Sequence, residues 1–228
     1  MSRPIFERAI LRYRRSFRTA FAHFCYPLAL LMTGLTSATL YADSTNNKQG
    51  KSLTPPPAVS QELFRFDSSG SAAAWMATDD RVMGGVSQSR MRFDASGHAV
   101  FEGVMSVERN GGFASVRAAV SSPSVVLAMT NETDYVLSVR GDGKRYKLTL
   151  RTTGRFDAVS YQASFDTTAN LWTTVRLPVA AFAPTFRGRR VNAPPLDPTL
   201  VRETGLMIAD NQDGPFVLHI KAIVLEGR

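Results

Sequence analysis

The sequence predicts an all-β fold, a sandwich or barrel of short strands, and three observations predict it. Apolar residues recur with a period of two along most of the chain, which places them on one face of a sheet and their polar neighbours on the other. Roughly nine or ten such runs follow one another, separated by turn signals. After the first 42 residues no run of about ten residues carries a sustained helical stripe.

Residues 1–42 read as a secretory signal. Arg3, Arg8, Arg12, Arg14, Arg15 and Arg18 stand against the single acid Glu7. An apolar run over 24–35 follows, and Leu40-Tyr41-Ala42 precedes the polar Asp43. Cleavage is expected after Ala42, with Ala38 as the alternative. Arg14-Arg15-Ser16-Phe17 resembles a twin-arginine export signal. Pro27, Thr33 and Gly34 interrupt the apolar run, which falls short of the about 20 residues a membrane span needs. The chain is therefore expected to be exported and periplasmic, with tethering by a retained N-terminal segment as the alternative. Residues 43–61 read as a flexible linker, with Asn46-Asn47-Lys48-Gln49-Gly50 and the run Pro55-Pro56-Pro57.

Without the leader the formal charge falls from +8 to about +3, which gives no electrostatic argument for nucleic acid. The one cysteine, Cys25, lies in the leader. The folded part, residues 62–228, is expected to have no thiol chemistry, no disulfide and no cysteine metal site.

Within 62–228 the stripe Phe101, Gly103, Met105 and Val107 predicts one strand. Residues 135–140 and 144–151 predict two more, joined by Gly141-Asp142-Gly143. Glycine accepts the positive φ of a tight turn, so this link reads as a hairpin. Along 144–151, Tyr146, Leu148 and Leu150 alternate with Arg145, Lys147, Thr149 and Arg151. Tyr161, Ala163 and Phe165 alternate with Ser160, Gln162 and Ser164. Phe216, Leu218 and Ile220 alternate with Val217, His219 and Lys221. Short helical turns are expected near 71–75 and 178–182. Tyr146, Tyr161, Phe165 and Phe216 fall on the inward phase as core, while His219 falls on the solvent phase. Trp75 and Trp172 are candidates either for packing against a sheet or for stacking a sugar ring.

Several motifs recur in a fixed order. They are Trp75 with Asp79-Asp80-Arg81-Val82-Met83-Gly84-Gly85-Val86-Ser87, then Asn110-Gly111-Gly112-Phe113-Ala114-Ser115-Val116-Arg117, then Arg140-Gly141-Asp142-Gly143-Lys144-Arg145-Tyr146. Tyr161-Gln162-Ala163, Trp172, Leu177-Pro178, Phe186-Arg187-Gly188-Arg189 and Gly214-Pro215-Phe216 follow. In this order the chain resembles the complex I intermediate-associated protein 30 domain family over about residues 62 to 227. The resemblance implies a jelly-roll β-sandwich of the galactose-binding-like type. It also implies a chaperone-like role in assembling respiratory complex I, without chemistry. The leader departs from the mitochondrial members of that family and points to an exported bacterial one.

Site residues were weighed against plainer roles. Asp79-Asp80 suits a turn cap or a buried ion pair better than paired acid/base chemistry or calcium, which wants more oxygen ligands nearby. Met83-Gly84-Gly85 and Gly111-Gly112 match no phosphate-binding motif and read as rim turns. Arg117 lies on a half-buried strand and wants a partner, which Asp79 or Asp80 supplies by a bidentate contact. If that pair lies open on a concave sheet face, it binds a sugar or a carboxylate instead. Arg187-Gly188-Arg189-Arg190 reads as a solvated basic turn. His98 and His219 have no metal-ligand spacing, and no serine lies in a nucleophile elbow. The candidate binding residues are Asp79, Asp80, Asn110, Arg117 and Gln162, with no catalytic residue, metal or cofactor. The expected function is non-enzymatic binding or assembly, acting on a protein partner or a membrane complex. The alternatives are a periplasmic carbohydrate-binding module with a sugar ligand, or an enzyme built on Asp79, Asp80 and Arg117.

Overall fold

The computed structural model describes residues 60–120, 133–155 and 157–227. The expected signal, its cleavage point and nearly all of the linker lie outside these residues.

The alternating runs form thirteen strands in two antiparallel sheets among the described residues. In the six-stranded sheet the order is β3 (Gln88–Asp94), β4 (His98–Met105), β13 (Gly214–Gly227), β6 (Thr133–Arg140) and β9 (Trp172–Pro178). β1 (Ser60–Arg65) pairs with the far end of β13, beyond the stretch that pairs with β4. In the seven-stranded sheet the order is β11 (Arg189–Arg190), β10 (Ala183–Phe186), β8 (Ser160–Asp166), β7 (Arg145–Arg151), β12 (Glu203–Ile208), β5 (Ala114–Ala119) and β2 (Met76–Ala77). The chain passes repeatedly from one sheet to the other, giving a jelly-roll sandwich. A short helix α1 (Ser69–Ala73) and a helical turn over Val179–Ala181 fall where helical turns were expected.

The inward residues of the two sheets meet in one core. Phe101 and Phe216 of the first sheet stand 6.4 Å, centroid to centroid, from Tyr146 of the second, which stacks on Phe165 at 6.2 Å. Tyr146, Leu148, Leu150, Leu206, Leu218 and Ile220 are fully buried. Each large apolar side chain so buried contributes about 1.5–3 kcal/mol. No helix among the described residues is long and apolar enough to cross a membrane.

One expectation is corrected. Gly141-Asp142-Gly143 does not close a hairpin, because β6 belongs to the six-stranded sheet and β7 to the seven-stranded one. The segment is a corner between sheets, and Asp142 holds it. Its Oδ1 accepts from the Tyr146 hydroxyl at 3.0 Å and from Lys144 N at 3.1 Å, and its Oδ2 accepts from Val217 N at 3.0 Å. Any Cβ at Gly141 would collide with the Thr167 side chain, and Gly143 has φ +92°. Glycine is needed here, but for a close crossing as much as for a turn.

β13 also departs from strict alternation. Its register against β6 shifts between Ile220 and Ala222, leaving Lys221 as the extra residue of a bulge. The strand can thereby keep both Ile220 and Ile223 in the core.

Candidate functional site

The outer face of the seven-stranded sheet carries an open groove of about 530 Å³. Cross-strand register explains its floor. Arg117 on β5 faces Gly205 on β12, Gly205 faces Thr149 on β7, and Thr149 faces Gln162 on β8. Facing residues of antiparallel strands point to the same side, so Arg117, Thr149 and Gln162 form one row across four strands. The neighbouring row sets Ser115, Met207, Lys147 and Ser164 side by side. Val82 and Met83 stand at one wall, and Phe186 and Arg187 of the β10–β11 hairpin at another.

Gly205 shapes this floor. A Cβ there would lie 2.5 Å from Thr149 Oγ1, 2.9 Å from the Val116 carbonyl oxygen and 3.1 Å from Arg117 Cγ. The Arg117 stem therefore leans over the space left by the missing side chain.

The groove is cationic. Arg117 is half-buried and, among the described residues, makes no hydrogen bond and no ion pair. Burial, and then the Arg151 guanidinium, lower its pKa, while Glu203 acts the other way. Lys147 Nζ reaches Asp210 Oδ1 at 2.6 Å. Arg151 donates from Nη1 to the Arg155 carbonyl at 3.1 Å.

The expected ion pair between Arg117 and Asp79 or Asp80 does not form, because both carboxylates are engaged elsewhere. Asp80 is fully buried. Its Oδ1 accepts from Ser87 N at 3.0 Å, and its Oδ2 accepts from Ser87 Oγ at 2.6 Å, Gly112 N at 2.8 Å and Phe113 N at 3.4 Å. Asp79 accepts from Ser89 N at 2.9 Å, Ser89 Oγ at 2.6 Å and Ser115 N at 3.0 Å. Burial raises the Asp79 pKa, against the pull of the hydrogen bonds from Ser89 and Ser115. The two glycine motifs make room for this arrangement. A Cβ on Gly85 would collide with the Asp80 carboxyl, and one on Gly111 would stand 2.7 Å from Asp80 Oδ2. They cradle an anion, as a phosphate loop does, but the anion is the chain's own Asp80. The staple fixes the loop carrying Val82 and Met83 to the start of β5, and so sets the groove wall.

Of the sequence candidates, Arg117 and Gln162 line the groove, while Asp79 and Asp80 lie beneath its wall. The side chain of Asn110 lies outside the described residues. Sequence reasoning missed Lys147, Thr149, Arg151 and Met207. The first three stood in plain view as the polar phase of β7, but alternation alone does not say that an outward face is recessed.

The outer face of the six-stranded sheet is polar too, with its groups paired. The Glu102 side chain, 4% exposed, accepts from Arg90 Nη2 at 2.7 Å and Arg92 Nε at 3.0 Å. His219 does not stand free in solvent as its phase suggested. Its Nδ1 lies 2.9 Å from His98 Nε2 and 3.3 Å from Arg140 Nη2. A guanidinium only donates, so His219 Nδ1 accepts and its proton sits on Nε2. Burial, then the nearby Arg140 charge, push its pKa down to about 4. Trp172 sits beside both histidines, with Lys221 Nζ 4.4 Å and Arg140 Cζ 5.3 Å from its ring centroid. Among the described residues no group of three or more His, Cys, Asp or Glu side chains is placed to hold a metal ion.

Comparison with known proteins places this geometry in context. The family model of Complex I intermediate-associated protein 30 (CIA30) matches residues 64–220. No curated protein matches the chain. Among solved structures, the family 11 carbohydrate-binding module of a cellulosomal cellulase of Clostridium thermocellum superposes with a TM-score of 0.53 at 14% identity, covering 75% of this chain and 95% of that one. The family 11 module from the same organism in complex with a β-1,3-1,4-mixed-linked tetrasaccharide gives 0.51 at 15% identity, covering 74% and 95%. An agarase gives 0.50 at 9% identity, covering 74% of this chain and 24% of its own. At these identities the likeness is one of fold.

Proposed function

The chain belongs to the complex I intermediate-associated protein 30 family, and we propose that it is a non-catalytic recognition domain that holds a polypeptide segment of a partner in the groove across its seven-stranded sheet. The observation that carries this reading is the groove itself. It joins a half-buried Arg117, without a partner among the described residues, to a wall on which Val82 and Met83 are 60% and 53% exposed. An apolar wall beside a directional polar anchor suits a polypeptide, which offers side chains of both kinds. Among the described residues the histidines lie on the opposite sheet, away from Ser160 of the groove. The family match supports an assembly role toward a protein partner or membrane complex, and the basic leader supports action after export, in the periplasm.

A saccharide ligand is the second reading. It is favoured by the polar row of Arg117, Thr149 and Gln162 and by the fold shared with a module solved with a tetrasaccharide. Phe113 and Phe186 line the groove, while both tryptophans are placed elsewhere. Trp75 is buried against Phe64 and Phe66, Trp172 lies on the other sheet beside two cations, and Phe186 has the Arg187 guanidinium 5.3 Å from its ring centroid.

A photoreactive residue at Met83, with Thr174 on the opposite sheet as control, tests the polypeptide reading. Crosslinking to one polypeptide from Met83 alone is the expected result. Equal crosslinking from both positions, or none from Met83, would sink it.

A further inference from the structure

We propose that the groove selects an acidic stretch of polypeptide, with a carboxylate docking on the Arg117 guanidinium beside Thr149 and Gln162. This rests on the polypeptide reading above and goes beyond it by naming the chemistry of the partner.

Three observations converge. Arg117 is a half-buried cation with no acceptor among the described residues, and a partly desolvated guanidinium without a partner is unfavourable until an anion reaches it. The groove keeps space for that anion. Thr149 Oγ1 and the Arg117 stem close over Gly205, where even a Cβ would collide, and Arg117, Thr149 and Gln162 line the open groove together. A planar carboxylate fits such a fork through two parallel hydrogen bonds.

The charge around the groove is complementary to an acid. Arg117, Lys147, Arg151 and Arg187 line it against Asp157 and Asp210, and Asp210 is already tied to Lys147 at 2.6 Å. Two rows of the floor lie side by side, one presenting Arg117 and the other Met207, two residues further along β12 from Gly205. That offset is about 6.8 Å, the repeat of alternate side chains along an extended chain. An extended segment with an acidic and an apolar side chain two residues apart, and so on one face, matches these two rows, Arg117 meeting the acid and Met207 the apolar side chain. A uronate-bearing glycan also supplies a carboxylate, and Phe113 and Phe186 line the groove, so the titration includes one.

The test is calorimetric titration of the full chain with three probes. They are a peptide repeating Glu-Ser-Leu-Ser, which sets glutamate and leucine on one face of an extended chain, its counterpart with glutamine in place of glutamate, and an oligogalacturonate. The glutamate peptide is expected to bind at least about tenfold tighter than the glutamine peptide, and added salt should erase much of the difference. Arg117→Gln should remove that preference, and Arg117→Lys, which keeps the charge but loses the fork, should retain part of it. Thermal unfolding midpoints matching the parent chain confirm that both variants fold. Equal affinity for the two peptides, an unchanged preference in Arg117→Gln, or no binding of the glutamate peptide overturns the inference. In each of those cases crosslinking from Met83 still reports on the broader reading. Tighter binding of the oligogalacturonate than of either peptide overturns both.

Discussion

The two outer faces of this sandwich carry the same kinds of residue and use them differently. On the six-stranded sheet, Arg90 and Arg92 converge on Glu102, and His98, His219, Arg140 and Trp172 contact one another. On the seven-stranded sheet, Arg117 stands in an open groove without a partner among the described residues. The difference teaches where to look for function. A charge held by its neighbours contributes to the fold, whereas a half-buried charge without one is kept at some cost to it and is available to a ligand. The Asp79–Asp80 staple belongs to the first kind, although it sits at the edge of the groove.

This contrast predicts a graded series of effects on stability. The largest is expected from Asp80→Ala, which leaves the backbone donors of Ser87 and Gly112 without an acceptor in a fully buried place. A loss of about 3–4 kcal/mol in urea denaturation is expected. A loss below about 1 kcal/mol would mean that the staple is not structural and that the division between paired and unpaired charges fails. Glu102→Gln comes next. Its guanidinium partners are 50% and 34% exposed, so water softens the change to about 1 kcal/mol by the same measurement.

The histidine pair gives a pH signature. Because the folded pKa of His219 lies near 4, below its ordinary value of 6.5, the unfolded chain binds this proton first as pH falls. The stability that neutral His219 permits is complete above about pH 6.5 and is lost progressively down to about pH 4. Denaturation midpoints followed across that window should decline less steeply in His219→Gln. Identical slopes in parent and variant would show that the imidazole titrates freely. The smallest effect belongs to Arg117→Gln, expected within about 0.5 kcal/mol of the parent because no partner is stranded. A large loss there would reveal a structural role and remove the contrast between the two faces.

Much of the fold was legible in the sequence. The period-two stripes of β7, β8 and β13 placed Tyr146, Tyr161, Phe165 and Phe216 in the core, and all four are buried. The ordered glycine motifs pointed to the family that matches residues 64–220. The site was legible only in part. Arg117 and Gln162 were found, but the expected partner of Arg117 was wrong, because hydrogen bonds from Ser87, Ser89, Gly112 and Ser115 claim both aspartates.

Sequence by itself determined the strand content, the inward face of each strand and the need for glycine at particular turns. Alternation and backbone sterics are local properties, readable residue by residue. Tertiary structure alone decided which sheet each strand joins, as the corner at Asp142 shows. It also decided which polar residues find partners. Those partners come from far along the chain: Ser115 for Asp79, His98 for His219, and none for Arg117 among the described residues. Pairing across such distances depends on register between strands, which no local pattern encodes.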